Sequence, residues 1–149
     1  MKDKLNSDLK AALLGGDRLR ADTIKGIKAA VLNEEIAQGV RERGLSDEDI
    51  QQILARESKK RAEAAEMYKK GGADDRADAE TAEKVIIDAY LPKQLDEAEI
   101  SEVIDQKVTE LGATATADMG KVIGAVKVQL GAAADGSVIA RLTKEKLQQ

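Results

Sequence analysis

The chain has 149 residues, 35% of them charged, and a formal net charge of -4 at pH 7. It contains no His, Cys, Trp or Phe, which excludes histidine acid–base catalysis, thiol nucleophiles, disulfides and the usual ligand sets of zinc, haem and iron–sulfur centres. With two tyrosines as the only aromatic residues, it also lacks a platform on which single-stranded bases could stack. We therefore expect no metal, no cofactor and no base-specific reading of RNA.

The sequence shows no targeting or membrane segment. Its first residues contain no apolar run of signal-peptide length, and no later stretch approaches the length of a membrane span. These features predict a cytoplasmic protein that does not contact a membrane.

Four helices are predicted in the first 92 residues, because apolar residues recur there at spacings of three and four. They cover about residues 3–14, 17–39, 46–70 and 74–90. Asp17 caps the second helix, and Ser46 with Asp49 forms a variant capping box at the start of the third. Glycine pairs end the first and third helices, and the fourth stops at Leu91-Pro92.

The apolar positions of these helices predict which faces are buried. In the first helix the predicted inward residues are Leu5, Leu9, Ala12 and Leu13, and in the second they are Ile24, Ile27, Val31 and either Leu32 or Ile36. In the third helix they are Ile50, Ile53, Leu54, Ala64 and Tyr68, and in the fourth Ala82, Val85, Ile86 and Ala89.

Three more helices are predicted after the proline. Asp96 and Glu99 form a capping box for a helix that ends at Gly112, with Ile100, Val103, Ile104, Val108 and Leu111 inward. The other two lie near residues 117–130 and 136–147. The prediction is thus an all-α fold with a long helical hairpin subdomain (residues 1–92) and a compact three-helix subdomain (residues 93–149).

One face of the predicted helix near residues 117–130 is nearly bare backbone beside a cation. Gly120, Gly124 and Lys127 lie together there, away from the apolar stripe of Met119, Val122, Ile123, Val126 and Leu130. A glycine inside a helix costs roughly 1 kcal/mol relative to alanine, so we expect a close neighbour at this face. Tight packing against the last helix and contact with an RNA backbone both remain open.

The charge distribution favours residues 113–149 as the region that would contact a polyanion. Residues 113–149 contain five Lys/Arg and three Asp/Glu, which leaves 19 and 25 in the residues before them. Arg141 and Lys144 share a helix face and would extend the surface of Lys121 and Lys127.

Elsewhere, the basic run from Arg56 to Lys70 is interleaved with glutamates and predicts surface ion pairs. The acidic run from Asp74 to Glu83 predicts a solvated helix start, and no catalytic pair or phosphate loop is visible.

The whole chain resembles the YqeY family, which belongs to the GatB/YqeY domain group. The resemblance is carried by four segments: Lys28-Ala29-Ala30 with Asn33-Glu34-Glu35-Ile36, Tyr90-Leu91-Pro92-Lys93-Gln94-Leu95, Met119-Gly120-Lys121-Val122-Ile123-Gly124-Ala125-Val126, and Ala134-Asp135-Gly136. It departs from the family just before Ala134-Asp135-Gly136, where relatives often carry lysine or arginine and this chain has only glycine and alanine, and at Ser137, which replaces a commonly basic residue.

The resemblance implies a fold similar to the tail of the GatB subunit of the aspartyl/glutamyl-tRNA amidotransferase, which contacts the tRNA body. It implies a stand-alone tRNA-binding accessory rather than a catalytic unit. Our leading hypothesis is that this module contacts RNA through the surface described above, which comprises Gly120, Lys121, Gly124, Lys127, Arg141 and Lys144. A second hypothesis is a protein–protein adaptor that docks on a tRNA-charging or amidotransferase enzyme. A third follows the family's description as a carbon–nitrogen ligase with glutamine as amido-N-donor, for which we find no catalytic residues.

Overall fold

The computed structural model describes residues 1–148. Within this range the chain forms seven α-helices and no strand, which confirms the all-α prediction. The residues pack as two compact units, one formed by Met1–Leu91 and the other beginning at Pro92. No helix in the described range is long and apolar enough to cross a bilayer.

The helix boundaries follow local sequence signals. The helices are α1 (Lys2–Leu14), α2 (Arg18–Ala37), α3 (Asp47–Lys70), α4 (Asp74–Asp88), α5 (Glu97–Leu111), α6 (Met119–Leu130) and α7 (Gly136–Leu147). Short 3-10 turns at Thr116–Asp118 and Gly131–Ala133 flank α6. Each helix boundary lies within two residues of its predicted position.

The predicted caps are present, with one change. The Asp17 side chain accepts a hydrogen bond from the Arg20 N–H, and Asp96 and Glu99 form both bonds of the capping box. Ser46 Oγ accepts from the Asp49 N–H at 3.1 Å. The Asp49 carboxylate, however, accepts from the Ser46 hydroxyl at 2.7 Å, so the box closes between the two side chains.

The first unit is built on the antiparallel hairpin of α3 and α4, with α2 packed on both of them and α1 packed on α2. Its buried apolar core comprises Leu5, Ile24, Ile27, Val31, Ile50, Ile53, Leu54, Ile87 and Tyr90. The second unit packs α5, α6 and α7 around Ile100, Ile104, Ala113, Val122, Val126 and Ile139.

Several predicted inward positions are wrong. Leu13 is 55% exposed, Val85 65% and Leu111 48%, and Ala89 is also exposed. In α4, Ile87 is buried instead of Val85. Three consecutive apolar residues at 85–87 leave the phase of this helix open, so its neighbours decide it.

The buried face of α2 ends in a charged residue. Leu32 and Ile36, the two alternatives predicted to continue this face, are 41% and 55% exposed. The position one turn after Val31 is Glu35, and it is only 3% exposed. A carboxylate was not expected there because a buried charge needs partners that the sequence does not reveal.

Candidate RNA-contact surface

Helix α6 presents opposite chemistry on its two sides. Val122 and Val126 are fully buried in the core of the second unit, as the apolar stripe predicts. Gly120, Lys121 and Gly124 are exposed. The apolar residues therefore fix the orientation of α6 and turn its glycines toward solvent.

Nothing in the described chain packs on the glycine face. A Cβ atom built on Gly120 or Gly124 would meet no heavy atom within 4 Å. Packing of Gly120 and Gly124 against the last helix, one of the two explanations for this face, is therefore wrong, although Lys127 of the same face does lie against Gly136 of α7. Val128, one turn beyond Gly124, is 87% exposed, so the open strip continues along the helix.

Three of the lysines predicted to contact RNA form no ion pair among residues 1–148. Lys121 and Lys127 are on α6 itself, and Lys144 is exposed on α7. Lys127 lies against the start of α7: a Cβ on Gly136 would be 3.2 Å from Lys127 Cε and 3.4 Å from its Nζ. Gly136 thus leaves space for the Lys127 side chain.

Arg141 differs from these lysines because its charge is matched within the unit. Its guanidinium donates to Glu97 of α5 and, at 3.2 Å, to Glu145 of its own helix. The hydrogen bond to Glu97, followed by the one to Glu145, raises the pKa of Arg141 above its ordinary value. Lys146 pairs in the same way with Asp105 at 2.8 Å. The structure therefore brings Arg141 to α5, and its predicted RNA contact would have to break these ion pairs.

The two carboxylates nearest to α6 in sequence accept hydrogen bonds from backbone amides. Asp118 accepts from the N–H groups of Thr114 and Ala115 at 3.2 and 3.4 Å. Asp135 caps α7 by accepting from the Ser137 N–H at 2.6 Å. The Ala-Asp-Gly segment therefore has a structural explanation: its aspartate starts α7, and its glycine leaves space for Lys127.

The basic run of α3, in the first unit, differs from the lysines of α6 because most of its charges are in ion pairs. The run forms ion pairs that include Arg56–Glu34, Lys60–Glu57, Lys70–Glu66 and Arg61 with Glu80 and Glu83. This confirms the prediction of surface ion pairs. Among the described residues, no group of acidic side chains is placed to hold a metal ion.

Sequence reasoning missed two polar clusters in the first unit. Glu35 forms an ion pair with Lys2 of α1 and accepts a hydrogen bond from the Leu45 N–H at 3.1 Å. The contact with Lys2, followed by the bond from Leu45, lowers the pKa of Glu35 below its ordinary value, although burial alone would raise it. The Tyr90 hydroxyl donates to Asp8 at 2.5 Å. Both clusters join segments far apart in sequence, so no local pattern could have predicted them.

Comparison with known proteins agrees with the family resemblance. The sequence profile of the family described as "Yqey-like protein" matches residues 2–147. A relative from Clavispora lusitaniae is 29% identical over 129 residues, which cover 85% of this chain and 71% of the relative. One from Lachancea thermotolerans is 32% identical over 110 residues, covering 72% and 57%. Both are named "Altered inheritance of mitochondria protein 41, mitochondrial", so the cytoplasmic location of this chain stays a prediction.

Proposed function

Since this chain belongs to the YqeY-like family, we propose that it is a non-catalytic tRNA-binding accessory in tRNA-dependent amidotransfer or aminoacylation. The contact surface is the α6 face of Gly120, Lys121, Gly124 and Lys127, extended by Lys144. In this proposal the module binds the sugar–phosphate backbone by shape and charge, without reading bases.

The open glycine face is the observation that carries the proposal. Without side chains at Gly120 and Gly124, a ribose–phosphate strand can approach the helix more closely than at any position with a Cβ. Lys121 and Lys127 flank this strip and have no ion pair within residues 1–148, so binding phosphate would cost them no existing pair. Phosphate contacts supply most of the sequence-independent affinity of nucleic-acid-binding proteins.

The number of unmatched cations sets the expected salt dependence. Ion pairs in the second unit include those of Lys93, Lys107, Arg141 and Lys146, which leaves Lys121, Lys127 and Lys144 without one among residues 92–148. Three phosphate contacts would give a slope of log affinity against log salt of about -2 to -3. Binding should therefore be weak at physiological salt and readily measured at low salt.

The test is a fluorescence titration of the full chain with bulk tRNA and with duplex DNA of equal length, at several salt concentrations. We expect preferential tRNA binding with the slope given above. The Lys121→Ala/Lys127→Ala variant should make the slope shallower by about 1.4 to 1.8, since each phosphate contact contributes about 0.7 to 0.9. The matched control is Lys10→Ala/Lys69→Ala, which removes two exposed lysines from the first unit and should leave the slope unchanged.

A steric variant tests the glycine face separately from charge. Gly124→Val adds a side chain into open space, so the protein should stay folded while tRNA affinity falls. An unchanged affinity would remove the bare backbone from the contact. Absence of tRNA binding even at low salt would favour the second hypothesis, a protein adaptor on a tRNA-charging enzyme. A glutamine-dependent activity of the chain alone would overturn the non-catalytic role.

A further inference from the structure

Helix α2 leaves one complete face uncovered over its 20 residues. The exposed positions follow helical spacing and are Asp22, Lys25, Gly26, Ala29, Leu32, Asn33, Ile36 and Ala37. Leu32 and Ile36 are large apolar residues in this row, at 41% and 55% exposure. The face arises because Glu35, rather than Leu32 or Ile36, turns into the core.

Concave surfaces border this face on both sides. A groove of about 350 Å³ lies between α1 and α2, with Leu5, Val31 and Leu32 among its lining residues. A second groove, of about 660 Å³, lies between α2 and α3 and includes Gly26, Ala29 and Asn33. Small residues at 26, 29, 33 and 37 form a shallow row into which the side-chain ridge of another helix can pack.

The charges around the face are unbalanced. Lys2, Arg56 and Lys60, which line the grooves, are paired with carboxylates. Four other charged residues form no ion pair among residues 1–148: Lys28 in the first groove, and Arg41, Glu42 and Arg43 beyond Ile36. The charge of Arg41 contributes to the lowered pKa of Glu35 without a direct contact. The rim therefore offers three cations against one anion.

We infer that this face of α2 is the docking site for an amphipathic helix of a partner protein whose apolar stripe is flanked by acidic residues. An apolar centre within a charged rim is typical of helix-in-groove recognition. RNA fits less well because phosphates gain nothing from Leu32 and Ile36. A second copy of this chain, joined through the same face, would set Lys28, Arg41 and Arg43 opposite like charges.

This site lies in the first unit and is independent of RNA binding by α6. The protein would then connect two partners, an acidic helix through α2 and tRNA through α6. Failure of the tRNA titration would leave the α2 inference standing, and the converse also holds.

The test places the photo-crosslinking residue p-benzoylphenylalanine at Ile36 of the full chain in its own cells, and at Met67 as control. Met67 lies on α3 and is 73% exposed. We expect a crosslink from position 36 alone, and mass spectrometry should identify the attached segment as an amphipathic helix with acidic flanks. The inference would be overturned by a crosslink to RNA, to another copy of the chain or to a segment of different chemistry. It would also be overturned if position 36 gave no crosslink that position 67 does not give.

The synthetic peptide of the captured segment then serves as the probe in an affinity measurement. Leu32→Asp/Ile36→Asp should weaken its binding about tenfold or more, as expected for central apolar contacts. Lys28→Glu should also weaken peptide binding, and the size of this loss should depend steeply on salt concentration. Met67→Asp and Lys121→Ala/Lys127→Ala should leave peptide binding unchanged. Equal binding to the wild type and the α2 variants would contradict the assignment.

Discussion

The two units differ in how they treat polar groups in their cores. In the first unit, Glu35 is bound by Lys2 and the Leu45 N–H, and Ser58 donates to Asp88 across the α3–α4 hairpin. In the second, Thr143 is fully buried, and its hydroxyl finds no hydrogen-bond partner among the described residues. The first core is therefore joined by specific polar bonds between distant segments, whereas the second is held by apolar packing.

This difference predicts which substitutions damage each unit. Removing a polar partner should harm the first unit, because its buried acceptors and donors would be left unsatisfied. In the second unit, only loss of apolar volume should have a large effect, and loss of its buried hydroxyl should be favourable.

The largest effect is expected from Ile139→Ala in the second unit. Ile139 is fully buried, and truncation should lower the free energy of unfolding by about 3 kcal/mol through lost transfer energy and the cavity. Urea denaturation followed by circular dichroism measures it. Val128→Ala is the matched control, since this residue is 87% exposed and its loss should be nearly neutral. Equal effects of the two variants would show that the second unit is not held by its apolar core.

The next largest effect is expected from Glu35→Gln in the first unit. The substitution keeps the shape but removes the charge that binds Lys2, so the urea midpoint should fall clearly at pH 7. Glu34→Gln is the control, since its ion pair with Arg56, at 3.5 Å, is longer and more exposed.

Glu35 also predicts a pH dependence. Its pKa is lower in the folded than in the unfolded chain, so its contribution is complete above the ordinary value near 4.5 and is lost as pH falls through the folded pKa. The difference in midpoint between wild type and Glu35→Gln should therefore shrink at acidic pH. A constant difference from pH 7 to pH 3 would contradict this role of the charge.

Tyr90→Phe should cost about 1 to 2 kcal/mol, because it removes a hydrogen bond to the Asp8 carboxylate. Burial, followed by that hydrogen bond, raises the pKa of Tyr90 to about 12. A raised pKa means that Tyr90 stabilises the fold below pH 10, with the contribution lost between pH 10 and about 12. Absorbance titration of Tyr68→Phe, where Tyr90 is the only tyrosine, measures the pKa directly. Ionisation near pH 10 in the folded protein would contradict the burial of the hydroxyl together with its hydrogen bond to Asp8.

The smallest effect, and the only stabilising one, is expected from Thr143→Val. The change replaces a buried hydroxyl without a partner by a methyl group of similar size, which should raise the free energy of unfolding by about 1 kcal/mol. Thermal unfolding is a suitable measurement. A loss of stability would indicate that the hydroxyl is hydrogen-bonded and that the contrast between the two cores is smaller than described.

The sequence by itself determined the features that depend on near neighbours. Helix ranges, the caps at Asp17 and Asp96, and the apolar stripe of α6 were predictable because each relies on residues within one or two turns. The family was also recognisable from four short segments, and the profile match over residues 2–147 confirms it.

Only the tertiary structure decided which faces are covered and which charges are matched. The packing of α1 and of the segment at Leu45 turns Glu35 inward and leaves Leu32 and Ile36 exposed. Glu97 of α5 pairs with Arg141, while the glycine face of α6 stays open. These outcomes depend on contacts between residues far apart in the chain, and helical periodicity contains no information about such partners.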